Sequence, residues 1–139
     1  MLPALILLIF LLSACQTEND IERDYPIVKT LEVDNITSDG ARFNGQVIYG
    51  PLESITEYGF VWGNSVVLNI RDSDKVSLEG YPAASDFSCD IMQRLEKMQK
   101  YFVRSYIRSG GLIIYGNLVT FVTSDVSIIT GKKLYHGSP

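Results

Sequence analysis

Tyr101-Phe102-Val103-Arg104-Ser105-Tyr106-Ile107-Arg108-Ser109-Gly110-Gly111-Leu112-Ile113-Ile114-Tyr115-Gly116-Asn117-Leu118-Val119-Thr120-Phe121-Val122-Thr123 is the stretch that decides the fold. Residues 101–108 are rich in β-branched and aromatic side chains, Ser109-Gly110-Gly111 marks a hairpin, and residues 112–123 read as a final strand. Side chains alternate across a strand. Tyr101, Val103, Ser105 and Ile107 therefore share one face, taken as inward. Phe102, Arg104, Tyr106 and Arg108 share the other and form a candidate partner surface, because aromatics and Arg are enriched at interface hot spots. Cross-strand pairing on an exposed sheet favours the same residue types.

Upstream, the pattern is again β. Residues 27–33 read as a first strand, ended by the turn-like Asp34-Asn35 and Thr37-Ser38-Asp39-Gly40. Ala41, Phe43, Gly45, Val47 and Tyr49 alternate with Arg42, Asn44, Gln46 and Ile48, and Gly50-Pro51 stops that strand. Residues 56–63 place Tyr58, Phe60 and Trp62 on one face, which reads as core rather than as a sugar-stacking platform. Short strands are expected at 66–70 and 75–78. Residues 90–102 are ambiguous, since Ile91, Leu95, Met98 and Phe102 fall at helical spacing. Their flanks are strands, which makes this segment a strand and a connection with at most one helical turn. Many short strands with turns between them indicate an all-β sandwich.

Residues 26–124 resemble a fibronectin type III-like domain. Ile55-Thr56-Glu57-Tyr58-Gly59-Phe60-Val61-Trp62 is similar to that family's third strand. Tyr101 to Tyr106, followed by Tyr115 to Thr123, is similar to its closing F–G hairpin. The resemblance implies an immunoglobulin-like β-sandwich of about seven strands. It also implies a tyrosine corner formed by Leu95 and Tyr101, in which the phenol hydroxyl bonds the backbone at the E–F turn. That turn usually carries Pro and Gly in the family; here it reads Glu96-Lys97-Met98-Gln99-Lys100.

The N-terminus says where such a domain works. Residues 2–12 are apolar and end in Leu12-Ser13-Ala14-Cys15, which resembles the lipobox of bacterial lipoproteins. The run is too short for a membrane span and suits a signal-peptide core, although Met1-Leu2-Pro3 lacks the usual Lys or Arg. The resemblance implies cleavage after residue 14, a lipid on Cys15, and residence in the bacterial cell envelope. Gln16, which is not Asp, favours the outer membrane. Residues 15–25 are then the lipidated cysteine and an acidic tether, with Glu18, Asp20, Glu22 and Asp24 either a surface-export tag or a solvated spacer. Residues 125–139 form a tail or the start of a further module, with residues 126–129 available to extend the final strand.

Of the 139 residues, about 125 follow the signal, enough for one domain core. A formal net charge of −4 without a basic patch disfavours nucleic acid. Catalytic equipment is missing from the sequence. His136 is the only histidine, placed in the tail, and Cys89 is a small hydrophobe without a cationic neighbour. Asp72-Ser73-Asp74 is a weak calcium signal and more simply a solvated loop. The expectation is a non-catalytic binding or spacer module with no cofactor, held at a membrane by its lipid, with an unknown protein or glycan as partner. Carbohydrate binding in a surface glycan-uptake system is the alternative.

Overall fold

Period-two burial organises the computed structural model, which describes residues 25–126 and the backbone of Ile128–Ile129 and Lys132–Lys133. The apolar run at 2–12, Cys15, the acidic residues before Tyr25 and His136 lie outside the described residues. In chain order the strands are β1 (Ile27–Thr30), β2 (Ala41–Tyr49), β3 (Ile55–Gly63), β4 (Asp74–Glu79), β5 (Asp86–Ile91), β6 (Lys100–Ser109), β7 (Leu112–Tyr115), β8 (Val119–Val122), β9 (Ile128–Ile129) and β10 (Lys132–Lys133). One sheet has the order β1-β2-β5 and the other β4-β3-β6-β7, with β8 also paired to β6. The pairings within both sheets are antiparallel. This is the all-β, immunoglobulin-like, fibronectin type III-like sandwich.

Aromatic side chains from both sheets fill the space between them. Phe43 of β2 packs against Phe60, Trp62 and Phe121, with ring centroids 5.4–5.7 Å apart. Such tilted and edge contacts suit the ring quadrupoles. Gly45, the member of β2 without a side chain, lies under the Phe87 ring; a Cβ there would fall 2.5 Å from the ring carbon Cζ.

The structure departs from the sequence expectation on three points. The final strand is two pieces, because β7 and β8 are separated at residues 116–118. There Thr30 of β1 reaches across. Its Oγ1 accepts the Ser105 N–H at 2.8 Å and bonds the Ser105 hydroxyl at 2.9 Å. The Asn117 amide clasps the Thr30 peptide units: Oδ1 accepts the Thr30 N–H at 2.9 Å, and Nδ2 donates to the Thr30 carbonyl at 3.1 Å. Gly116 is needed for this close approach, since a Cβ would fall 2.3 Å from Ser105 Oγ and 2.6 Å from Thr30 Oγ1. Second, β1 stops at Thr30, three residues early, and residues 66–70 are not a strand. Third, β9 and β10 pair with each other, so β9 does not extend β8.

Residues 92–99 contain no helix. Ile91 and Leu95 are buried but Met98 is exposed, so the helical spacing is not one apolar face. Tertiary bonds hold this turn. The Asp39 carbonyl accepts the N–H groups of Arg94 and Leu95, both at 3.1 Å. The Tyr101 hydroxyl accepts the Glu96 N–H at 2.9 Å. Thr123 Oγ1 donates to the Glu96 carbonyl and accepts the Gln99 N–H at 2.8 Å. Met98 takes the left-handed conformation, φ 54°, within the turn where the family favours glycine.

Tyr101→Phe leaves the Glu96 N–H without its acceptor and is expected to cost about 1 kcal/mol. Asn117→Ala removes both bonds to Thr30 and is expected to cost about 1–2 kcal/mol. Urea unfolding with unchanged m-values measures both.

Candidate binding face of the larger sheet

The outward face of β6 lies in the middle of the larger sheet, flanked by β3 on one side and by β7 and β8 on the other. Phe102, Arg104, Tyr106 and Arg108 all stand on this side, as alternation requires. Their exposures differ. Phe102, Arg104 and Arg108 are half-buried, whereas Tyr106 has no exposed surface.

The expectation of four residues open to a partner is therefore corrected at Tyr106. Residues 64–73, between β3 and β4, carry Leu68 onto this face. Leu68, Val61 and Tyr106 form a second apolar cluster, joined by Ile70, Phe102, Ile113 and Tyr115. Asn69 shapes that loop: its Oδ1 accepts the N–H groups of Arg71 and Asp72, and its own N–H donates to Ser73 Oγ. The Ile70 N–H donates to the Tyr115 hydroxyl at 2.9 Å, which ties the loop to β7. An apolar run at 66–70 beside outward tyrosines was the available signal for this cover. It has the composition of a strand, and that reading hid it.

Arg104 is also engaged. Its Nε donates to the Gly116 carbonyl at 3.0 Å, and its guanidinium carbon lies 4.9 Å from the centroid of the Tyr115 ring. Lys100 Nζ sits 5.3 Å from the Phe102 ring centroid. A polar chain crosses the sheet beside this cluster. The Tyr106 hydroxyl donates to Glu57 Oε1 at 2.8 Å, Arg108 Nε donates to Glu57 Oε2 at 2.9 Å, and Ser77 Oγ bonds the Tyr106 hydroxyl. Burial is the larger influence on the Tyr106 phenol and, with the Glu57 carboxylate beside it, pushes its pKa to about 12. For Glu57, burial alone would raise the pKa, but hydrogen bonds from Tyr106, Arg108 and Ser77 hold it below the ordinary carboxylate value. An open groove of about 540 Å3 remains next to this chain, lined by Thr56, Glu57, Ser77, Glu79, Gly80 and Arg108.

This arrangement suits recognition better than proton transfer. Both Glu57 oxygens already accept charge-assisted or phenolic bonds, so the carboxylate is stabilised as an anion and is a poor general base. The Cys89 thiol is raised, first by burial and then by the charge of Asp90, which disfavours a nucleophilic thiolate. Among the described residues no group of three His, Cys, Asp or Glu side chains is placed to hold a metal ion. Trp62 is 1% exposed and lies beneath the Arg94 guanidinium, 4.6 Å from the ring centroid, so it presents no face to a sugar.

No protein-family model matches the chain, and no curated protein matches it. Solved structures with similar folds do. The solution structure of the sensor domain of the anti-sigma factor RsgI4 from Pseudobacteroides cellulosolvens superposes with a TM-score of 0.57 at 16% identity, over 83% of this chain and 91% of that one. A DUF3823 family protein from Bacteroides uniformis gives a TM-score of 0.58 at 12% identity, over 71% of this chain and 56% of that one. At these identities the similarity is one of fold.

Tyr106→Ala is expected to destabilise by about 3–5 kcal/mol, in the range of large aromatic truncations, rather than to act as a neutral surface change. Calorimetry reads it. Because the folded pKa of Glu57 lies below the ordinary 4.5, its contribution is present above pH 4.5 and is lost as pH falls through the lowered value. Urea midpoints measured from pH 6 downward are expected to fall in that window, and Glu57→Gln to remove this part of the decline.

Proposed function

We propose that this protein is a lipid-anchored cell-envelope module, a non-catalytic fibronectin type III-like sandwich displayed on a short tether for binding or spacing. The observation that carries the reading is Leu12-Ser13-Ala14-Cys15 at the end of an apolar run, directly followed by acidic residues and then by a folded domain. Among the described residues no helix is long and apolar enough to cross a membrane. In this reading the lipid on Cys15 supplies retention, since two acyl chains suffice for stable anchoring. The outer membrane is the favoured location, from Gln16 after the cysteine.

The saturated Glu57 carboxylate and the raised Cys89 thiol support a non-catalytic role. The partner contact proposed is the polar groove at Arg108, Glu57 and Glu79, with half-buried Phe102 and Arg104 further along β6. A protein partner suits this mixed-charge rim. The glycan alternative loses its stacking platform with Trp62 in the core.

Expression in a Gram-negative host with labelled palmitate tests the anchor. Wild type is expected to take up label and to fractionate with membranes, and Cys15→Ser to lose both. Label retained by the Cys15→Ser variant contradicts the proposal.

A further inference from the structure

The two poles of the sandwich differ in chemistry. One pole gathers the loops at 50–54, 80–85 and 110–111 with the start of β1. The contacts that bring them together are explicit: Ile27 pairs with Tyr49, Gly50 lies against Pro26, the Val47 N–H donates to the Ser85 carbonyl, the Gly80 N–H to the Thr56 carbonyl, and Ser109 Oγ to the Ser54 carbonyl. Glu53 is the single charged residue in those three loops. The loops at 31–40, 64–73 and 92–99, at the opposite pole, carry eight charged residues between them.

All three exposed tyrosines among the described residues, Tyr25, Tyr49 and Tyr81, belong to the first pole. Leu112, 53% exposed, stands at the hairpin tip beside Gly110-Gly111. Exposed tyrosines and an aliphatic side chain at one pole, on or beside loops that carry one charge between them, match the composition of a membrane–water interface, where a ring settles at headgroup depth with its hydroxyl toward water. The same pole receives the N-terminal chain. Ten residues lead from Cys15 to Tyr25, at most roughly 35 Å when extended and about 18 Å as a flexible coil. That distance lets this pole, where the chain enters the sandwich, lie beside whatever surface holds Cys15.

We infer that the Tyr25–Tyr49–Tyr81–Leu112 pole is a membrane-contact surface that rests on the headgroups of the bilayer holding the lipid. The inference rests on the lipid-anchor reading. The contact orients the sandwich so that the 31–40, 64–73 and 92–99 loops point away from the membrane. Glu53 and the acidic residues of the tether make the preferred surface neutral rather than anionic.

Full-length lipidated protein in phosphatidylcholine vesicles doped with brominated phosphatidylcholine tests this, with mass spectrometry of the N-terminal peptide on the same sample. Trp62 is buried and the only native tryptophan, so an added tryptophan reports its own depth. Tyr81→Trp and Leu112→Trp are expected to lose at least half of their added emission to the bromines, and Val67→Trp at the other pole to lose none. Replacing part of the lipid with phosphatidylglycerol at low salt is expected to reduce the quenching. A lipid mass on Cys15 with no quenching at either Tyr81→Trp or Leu112→Trp overturns the contact surface and leaves the anchor standing. Equal quenching at both poles overturns the orientation. Absence of lipid on Cys15 overturns the anchor and this inference with it. Dimer-sized sedimentation with Tyr81→Trp unquenched assigns the pole to a second copy instead.

Discussion

The junction of Thr30, Ser105 and Asn117 is the constraint around which the two sheets close. Apolar packing between the sheets is non-directional and does not by itself fix how the β1-β2-β5 sheet sits on the larger one. The polar junction removes that freedom. Thr30 Oγ1 occupies the position of a missing strand acceptor for the Ser105 N–H, while the Asn117 amide serves Thr30 as a peptide group would. Buried backbone groups must find partners, so a break between β7 and β8 is tolerable only because a side chain from the other sheet satisfies it. The break and the junction are one feature. A continuous strand at residues 116–118 would have left Thr30 without these partners.

The same logic explains what was legible in the sequence. Alternation within a strand is local, so the inward faces of β2, β3 and β6 could be read directly: Phe43, Phe60, Trp62, Val103 and Ile107 are all in the core. The bond from the Glu96 N–H to the Tyr101 hydroxyl spans only a short turn, within reach of a local reading. Features that depend on distant partners were not. The Thr30–Asn117 clasp joins residues 87 apart in sequence. Thr123 completes the turn at 96–99 from 24 residues away, and no local pattern marks it.

The candidate face shows the limit from the opposite direction. Assigning Tyr106 to the outward side of β6 followed from period two alone, but exposure depends on what covers a face. Leu68 and Ile70 cover it, brought there by an Asn69-centred turn tied to Tyr115. Polar coupling then extends the cover, because the Tyr106 hydroxyl orders Glu57, and Glu57 holds Arg108. What remains for a partner is a groove beside an already satisfied network. In the proposed reading a partner would meet groups that are already held in place, which lowers the ordering cost of binding.

In the proposed reading, anchor, tether and sandwich together form a display device. Its polar asymmetry has functional content only if the chain is held at Cys15. The most direct measurement is intact mass analysis of the mature protein taken from host membranes. The expected N-terminal peptide begins at Cys15 and carries the added mass of a diacylglycerol thioether. A mature chain that still contains residues 1–14, or that begins at an unmodified cysteine, would contradict it.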